Sequence, residues 1–392
     1  MFCFYTRATC LQSPISLCRF YSSKTILERE IVILKSFVND RAEPILTKPL
    51  LPGGFVSYKK LKNIIKHDDI IGKQVRDLVR AKSGVDYRIY RPTIGEYTDN
   101  SPRIVTPIYS QDASLIVSLL DLHPTVPGTK TEKLEIFEAG TGHGALTLYL
   151  ARAIHAANTL PPKIPIESQI ESLDDSSVKE KYDAWRAQRR AVIHTLDNQE
   201  NHSRHAAANI MRFRQGIYFH HIDFHQGSIE EFISGKLAGS SNKPFLEHAI
   251  LDLPSPQDYM KIVSNAVKDN GLLLIFVPSI TQINKASMIA RNERLPWALE
   301  NVLELGGMIG TGGREWDVRP VRPRILQRAE VIEEKILKTD GNDMDKVGQF
   351  DHINVDITKK DVKGWELVCR PKVGLRITNG GFVGIWRKIS PL

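Results

Sequence analysis

The chain has few cysteines, and their positions do not suggest that they act together. Of its 392 residues only four are cysteine. Cys3, Cys10 and Cys18 lie near the N-terminus, and Cys369 stands alone. This distribution predicts neither a disulfide framework nor a cysteine metal site.

The chain also lacks an apolar run of about 20 residues, the length that spans a bilayer, so we expect a soluble mature protein.

Acidic residues are missing from the start of the chain, where Glu28 is the first. The preceding segment contains Arg7, Arg19 and Lys24 together with several serines and threonines. This composition is typical of a mitochondrial presequence. We therefore expect residues 1–24 to be a presequence and the mature protein to reside in the mitochondrial matrix. The alternative is a disordered basic N-terminus without a targeting role.

The remaining composition describes a basic globular protein. With 392 residues, 42% of them hydrophobic, the chain is long enough for one large domain and a smaller one. The net charge of +8 favours an anionic partner, and RNA or DNA is the natural candidate because lysine and arginine neutralise phosphates. The alternative is a basic matrix protein that binds no nucleic acid.

A glycine-rich turn joins a strand-like run to a helix-like run. Residues 137–144 read F-E-A-G-T-G-H-G, and A-L-T-L-Y-L-A-R-A follows. This arrangement is typical of the mouth of a Rossmann-like nucleotide pocket. A phosphate-binding G-x-G-x-x-G would need glycine at Ala145, which argues against a dehydrogenase. The spacing instead suits an adenosyl ligand without pyrophosphate, of which S-adenosylmethionine (SAM) is the commonest. The candidate cofactor residues are Glu138, Gly140, Thr141, Gly142, Gly144 and Ala145.

Strand-like and helix-like segments alternate after this turn, which predicts a parallel sheet wrapped by helices. The expected strands are residues 134–138, 191–197, 216–221, 247–253, 272–278 and 381–388, and the expected helices are residues 112–122, 202–213 and 258–268. The fold class is therefore α/β, with a Rossmann-like domain over residues 102–392 whose glycine turn suits SAM. Insertions are expected near 158–190, which is rich in proline and acidic residues, and near 328–363.

The chain before this domain has a different pattern. Residues 25–38 have helical apolar spacing, so we expect a short amphipathic helix there and a linker up to residue 50. Residues 51–101 alternate short extended pieces with glycines, which predicts a small β-rich domain.

In a doubly wound sheet, ligands bind beyond the carboxyl ends of the strands. Asp197 ends the second strand and is expected to accept hydrogen bonds from ribose hydroxyls. Ser228 and Ile229 follow the third strand and are candidates for lining the adenine. Asp252 ends the fourth strand in A-I-L-D-L-P-S-P, where a carboxylate would lie close to the sulfonium and the incoming nucleophile. The alternative role for Asp252 is to cap the following helix.

Metal catalysis is not expected. His220, His221 and His225 lie close together in sequence, but His220 and His221 are adjacent in an expected strand and would point to opposite faces. We interpret these histidines as structural or solvent-facing.

Several separated motifs together resemble one family. They are G-G-F at 53–55, H-D-D-I-I-G-K at 67–73, R-P-T-x-x-E-Y at 91–97, P-R-x-x-x-P-I-Y-S-Q-D-A at 102–113, E-A-G-T-G-H-G-A-L-T at 138–147, I-L-D-L-P-S-P at 250–256, P-S-I-T-Q-I at 278–283 and R-E-W-D-V-R-P at 314–320. In this order and spacing the chain resembles the TrmI-type tRNA adenine N1-methyltransferases, over roughly residues 51–324.

The resemblance implies SAM-dependent methylation of adenosine 58 in the tRNA T loop, by a homotetramer or by a complex with a non-catalytic subunit. It also implies that Tyr109 lies beside the adenine and that Asp252 lies near the transferred methyl group. The implied substrate-side residues are Gln282, Arg314, Glu315 and Trp316. His143 departs from the family, which usually has serine in the loop, and Ser228 replaces an acid often found in SAM enzymes.

The chemistry is consistent with this assignment. Adenine N1 attacks through a neutral lone pair, so the ring becomes positively charged and a nearby carboxylate stabilises it. A stacking tyrosine suits a base drawn out of its loop. Two alternatives remain open: the same reaction on mitochondrial rRNA, and a non-catalytic RNA-binding or ribosome-associated factor with this fold.

Overall fold

The structure is a computed structural model of the whole chain. It describes residues 24–39, 42–58, 63–129, 132–162, 176–306, 316–321, 366–371 and 381–390. The expected presequence, Arg314, Glu315 and the expected insertion at 328–363 lie outside the described residues.

The N-terminal part is built from short antiparallel strands. Four of them form a sheet in the order β2-β1-β6-β5, and two form a separate hairpin. The strands are β1 (Ile33–Ser36), β2 (Ile45–Leu46), β3 (Phe55–Tyr58), β4 (Asn63–Lys66), β5 (Leu78–Arg80) and β6 (Asp86–Tyr90). Ile26, Leu34, Ile65 and Ile89 share one buried apolar cluster, so this part has a core of its own.

The prediction of an amphipathic helix over residues 25–38 is wrong. Its apolar residues belong to an extended segment that contains β1, and Ile33 and Leu34 pair with Tyr90 and Ile89 of β6. The partner strand is distant in sequence, so the local spacing alone did not reveal the pairing.

The main sheet has seven strands in the order β12-β15-β11-β10-β7-β8-β9. These strands are β7 (Leu134–Ala139), β8 (Ala191–Asp197), β9 (Ile222–Gln226), β10 (Leu246–Leu251), β11 (Val267–Val277), β12 (Trp297–Glu304) and β15 (Phe382–Lys388). Strands β7 to β11 pair in parallel, and β15 runs antiparallel between β11 and β12.

Helices cover both faces of this sheet. They are α1 (Ile94–Asn100), α2 (Ser110–Leu119), α3 (Ala145–Ile154), α4 (Ser176–Ala187), α5 (Glu200–Arg212), α6 (Ile229–Gly239), α7 (Met260–Ala266) and α8 (Ile280–Asn292). Because side chains alternate along a strand, Ile136 and Phe137 of β7 enter two different buried clusters, one on each face. The predicted Rossmann-like α/β fold is confirmed. In the described part of the chain, no helix has the length and apolar character needed to cross a bilayer.

The third parallel strand begins later than expected. The prediction of a strand over residues 216–221 is wrong, because β9 covers Ile222–Gln226. Arg214, Gln215 and Gly216 all have positive φ, and a 3-10 turn over Phe219–His221 follows. His220 and His221 therefore lie in this turn and not in a strand.

The expected insertion at 158–190 contains a helix, α4, that packs at the amino-terminal edge of the main sheet. The Tyr182 hydroxyl lies 3.0 Å from His220 Nδ1, and the Trp185 indole donates to Thr159 Oγ1. Arg186 and Arg189 both donate to the Asp223 carboxylate, at 2.6 and 2.7 Å. Because these partners flank the starts of β8 and β9, α4 lies at the edge opposite the carboxyl ends of the strands.

A second compact unit comprises Gly306–Asn379. Its described part is a pair of antiparallel strands, β13 (Trp316–Val321) and β14 (Glu366–Pro371). Trp316 begins β13 and pairs with Pro371.

Candidate functional site

Backbone hydrogen bonds tie together the loops that follow β7, β8 and β10. The Gly140 amide donates to Leu196 O, and the Asp252 amide donates to Ala139 O, both at 2.9 Å. The Gly227 amide donates to Asp197 O at 3.3 Å. The structure therefore brings Glu138, Asp197 and Asp252 to one edge of the sheet. Their positions at the ends of strands had predicted this arrangement.

The glycine turn is needed because three other segments approach its backbone closely. A Cβ on Gly140 would lie 1.9 Å from the carbonyl oxygen of Asp252. A Cβ on Gly142 would lie 3.2 Å from Val105 Cγ2, and one on Gly144 would lie 3.1 Å from Ala206 Cβ. All three glycines also have positive φ. The turn is thus enclosed by the β10 loop, the segment before α2, and α5.

Glu138 is buried beneath the turn and held by two hydroxyl groups. Thr147 Oγ1 and Thr195 Oγ1 both donate to Glu138 Oε2, at 2.6 and 2.7 Å. Thr141 Oγ1 lies 2.7 Å from Thr195 Oγ1 and extends this network into the turn. Burial, together with the charges of Asp252 and Asp197, raises the pKa of Glu138 to about 8.

Thr195 and the role of Thr147 were not predicted from the sequence. Thr195 pairs directly with Glu138 across β7 and β8. Thr147 lies on the first turn of α3, as the last residue of the quoted motif E-A-G-T-G-H-G-A-L-T. A hydroxyl two residues before Asp197, in a fully buried strand, was the available signal for Thr195.

The Asp197 carboxylate organises the turn as well as ending β8. Its Oδ2 accepts from the Gly142 amide at 3.0 Å, and its Oδ1 accepts from the Gln199 amide at 2.9 Å. His202 Nδ1 lies 3.2 Å from Oδ1. An ionised carboxylate has about four acceptor positions, so with these three groups in place a lone pair on Oδ2 remains for a ribose hydroxyl.

Asp252 is half-buried, and its carboxylate makes no hydrogen bond with any described residue. The 3-10 turn at Pro256–Tyr259 has Ser255 as its N-cap residue, with no side-chain capping bond, so Asp252 does not serve as the cap. Burial and the negative charge of Asp197 raise the pKa of Asp252 to about 7. Its carboxylate is therefore available for a ligand.

Tyr109 lies immediately before α2, half-buried beside the segment that covers Gly142. The Arg103 guanidinium carbon lies 5.1 Å from the centre of its ring, and Arg103 Nη1 lies 3.4 Å from its hydroxyl. Ser110, the next residue, is held by Asp99 through a 2.7 Å hydrogen bond from its hydroxyl.

The other predicted site residues are less directly placed. Ser228 caps α6 by accepting from the Glu231 amide at 3.1 Å, and Ile229 is buried among apolar neighbours, so their contact with adenine stays a prediction. Gln282 lies in the first turn of α8, and its Oε1 is buried without a hydrogen-bond partner among the described residues. His143 is buried, with its Nε2 3.4 Å from Thr98 O.

The residues present fit SAM. The close approach of Asp252 to Gly140 leaves the turn as bare backbone, and Asp197 offers an acceptor at the end of β8, where a ribose is bound in doubly wound folds. The Asp252 carboxylate, which has no hydrogen-bond partner among the described residues, complements the positive charge of a sulfonium. Among the described residues, no group of histidine, cysteine, aspartate or glutamate is arranged to hold a metal ion.

No protein-family model matches the chain. Among curated proteins, the tRNA (adenine(58)-N(1))-methyltransferases TrmI of two Thermus thermophilus strains are each 29% identical to it over 268 residues, which is 68% of this chain and 82% of each relative. These relatives confirm the TrmI-type resemblance indicated by the sequence motifs.

Solved structures share the fold. A SAM-dependent O-methyltransferase from Thermotoga maritima has a TM-score of 0.58 at 15% identity, covering 94% of this chain and 96% of that one. The tRNA (m1A58) methyltransferase TrmI from Aquifex aeolicus has a TM-score of 0.53 at 16% identity, covering 94% of this chain and all of that one.

Proposed function

We propose that this chain uses SAM to methylate N1 of adenosine 58 in tRNA, because it is similar to the TrmI-type methyltransferases. We also propose that it acts in mitochondria. The observation that carries the proposal is the Asp252 carboxylate, which is half-buried, has no hydrogen-bond partner among the described residues and lies beside the glycine turn. The Thermus relatives of that named activity, covered over 82% of their length, support the reaction and the tRNA substrate.

The residues at this edge divide the task between binding and chemistry. Glu138, Asp197 and the glycine turn would hold the cofactor, which when bound supplies an electrophilic methyl group. The Asp252 carboxylate would accept a hydrogen bond from the exocyclic amine of adenine and so direct N1 towards that methyl group. The same carboxylate stabilises the positive charge that develops on the ring. Tyr109 would offer a stacking face for the base.

No general base is required in this mechanism, because N1 attacks through a neutral lone pair. Asp252 must nevertheless be ionised, since a protonated carboxyl would neither accept both interactions nor stabilise a cation. With a pKa of about 7, Asp252 is poised to ionise close to neutrality.

Methyl transfer from labelled SAM to separated tRNA and rRNA fractions tests the reaction and the substrate together. We expect label in tRNA, recovered as 1-methyladenosine, and a loss of at least a hundredfold in Asp252→Ala. Asp258→Ala is the matched control, because Asp258 is an exposed carboxylate in the following turn. Label in rRNA alone would show that the substrate is mitochondrial rRNA and not tRNA. Binding of RNA without binding of SAM would identify a non-catalytic factor.

The mitochondrial location rests on the composition of residues 1–24. Fusion of these residues to a fluorescent reporter tests it, with Arg7 and Arg19 changed to glutamate in the control. We expect import of the first fusion and not of the second.

The proposed assembly is a homotetramer or a complex with a non-catalytic subunit. Light scattering of the purified chain distinguishes these. A monomer that becomes active on addition of a mitochondrial extract would support the second arrangement.

A further inference from the structure

We propose that Arg103 is a positioning residue that fixes the ring of Tyr109 in the orientation needed to receive the adenine. This inference rests on the proposed function, which gives Tyr109 its stacking role. It goes further by naming the side chain through which that role is set.

Arg103 is attached to the fold on one side and to Tyr109 on the other. Its Nη2 donates to the carbonyl oxygen of Asp99 at 2.6 Å. Its Nη1 lies 3.4 Å from the Tyr109 hydroxyl, and its guanidinium carbon lies 5.1 Å from the ring centre. A guanidinium at this distance is attracted to the aromatic face. The guanidinium therefore lies over one face of the Tyr109 ring, and on this proposal the adenine stacks on the opposite face.

Asp99 restrains Tyr109 from a second direction. While its backbone oxygen holds Arg103, its carboxylate accepts from the Ser110 hydroxyl at 2.7 Å and from the Ser110 amide at 3.2 Å. Tyr109 is thus held through its ring by Arg103 and through its backbone by the neighbouring Ser110. Both restraints originate in one residue near the end of α1.

The segment between α1 and α2 is also attached to the cofactor side of the site. His205 Nε2, on α5, lies 3.0 Å from Pro102 O, and Val105 Cγ2 lies so near the glycine turn that a Cβ on Gly142 would be 3.2 Å from it. The backbone carrying Arg103 therefore stays in place when its side chain is changed. A change at Arg103 should free the Tyr109 ring without displacing the glycine turn.

An aromatic ring that is ordered before the base arrives loses less conformational entropy on stacking. Loss of the restraint should weaken RNA binding more than it slows the chemical step. For Arg103→Gln we expect KM for tRNA to rise about threefold to tenfold, in line with a cation–π contact at a partly exposed site. Both kcat and the Kd for SAM should change by less than twofold. Arg103→Lys keeps the charge and should recover part of the loss.

The direct test observes the ring by ¹⁹F NMR of protein labelled with 3-fluorotyrosine. The Tyr109 resonance is assigned as the one missing from Tyr109→Phe. We expect Arg103→Gln to shift and broaden this resonance. Arg88→Gln is the matched control, because the Arg88 guanidinium carbon lies at the same distance, 5.1 Å, from the ring centre of Phe37, and Arg88 belongs to β6 of the N-terminal sheet. An unchanged Tyr109 resonance in Arg103→Gln would overturn the proposal.

A double-mutant cycle separates positioning from direct RNA contact. If Arg103 acts through Tyr109, Arg103→Gln should have no further effect on KM in a Tyr109→Ala background. Full additivity of the two changes would overturn the proposal in favour of an independent contact with the RNA. Absence of methyl transfer by the unmodified protein, both alone and with added mitochondrial extract, would instead refute the proposed function, and the NMR measurement would still decide whether Arg103 fixes the ring.

Discussion

The backbone of Asp252 lies against Gly140 so closely that a methyl group on Gly140 would overlap the Asp252 carbonyl oxygen, at 1.9 Å. The Asp252 amide at the same time donates a hydrogen bond to the carbonyl oxygen of Ala139, the residue before Gly140. The position of the proposed catalytic carboxylate is thus set by the absence of a side chain on the cofactor turn. Cofactor binding and alignment of Asp252 should fail together when this contact is disturbed.

Gly140→Ala tests this coupling. The added Cβ must displace the Asp252 backbone, and the residue also has a φ of +99°, which side chains rarely adopt. We expect loss of SAM binding by calorimetry and a lower melting temperature. The matched control is Gly84→Ala, because Gly84 has a φ of +86° but open space around its Cβ position. The control should lose about 1–2 kcal/mol of stability from backbone strain alone and keep its affinity for SAM. Equal effects of both changes would contradict the coupling.

The ionisation of Asp252 should appear in the pH dependence of methyl transfer. Burial and the nearby Asp197 charge raise its pKa to about 7, so the active carboxylate form is lost as the pH falls below that value. We expect kcat/KM to fall about tenfold per pH unit below pH 7 and to level off above it. Asp252→Asn should give a residual rate that lacks this step. A step that persists in Asp252→Asn would assign the titration to another group.

The buried carboxyl of Glu138 should make the ligand-free protein less stable at alkaline pH. Its pKa is raised from 4.5 to about 8, so the folded protein holds this proton more tightly than the unfolded chain. The resulting stabilisation is complete below pH of about 4.5 and disappears as the pH rises through 8. Urea unfolding should lose roughly 2–5 kcal/mol between pH 5 and pH 9 on this account. Glu138→Gln should reduce that loss, and an unchanged loss would show that other groups cause it.

Asp223 should be important for the stability of the insertion and unimportant for the chemistry. It pairs with Arg186 and with the buried Arg189, and these contacts hold its pKa well below its usual range. Asp223→Asn leaves the Arg189 charge buried without its partner, so we expect a loss of about 3–5 kcal/mol in urea unfolding. Below the melting transition, kcat should stay within twofold, because α4 lies at the opposite edge of the sheet from Asp252.

Asp86→Asn is the control for this change. The Arg80–Asp86 pair has similar geometry, with a 2.8 Å contact, but is exposed to solvent. We expect little change in its stability, since solvent screens such pairs. A comparable loss in both variants would mean that burial is not what makes the Asp223 contacts important.

The sequence predicted those parts of the site whose position follows from strand periodicity. Strand β8 begins at Ala191 and ends at Asp197 as expected, because an apolar run followed by an acid marks the carboxyl end of a buried strand. Glu138 and Asp252 were found in the same way. These three carboxylates meet because parallel strands place equivalent ends at one edge.

The errors have a different physical origin. Residues 25–38 were expected to be a helix because Ile33 and Leu34 fit helical spacing, yet their pairing with β6 depends on contacts remote in sequence. The third strand was placed too early because the left-handed backbone of Arg214 and Gln215 has no clear signal in these residue types. The Thr195–Glu138 contact and the Arg103–Tyr109 pair depend on three-dimensional placement, so neither followed from the sequence.

The place of β15 between β11 and β12 has a consequence for how the protein folds during synthesis. Among the described strands, β12 pairs only with β15, and β15 follows the whole Gly306–Asn379 unit in the chain. A ribosome must therefore translate that unit before β12 can be paired, and the backbone edges of β11 and β12 that β15 will join stay unpaired in the meantime. Nascent chains paused within Gly306–Asn379 should consequently depend on chaperones until the closing strand emerges.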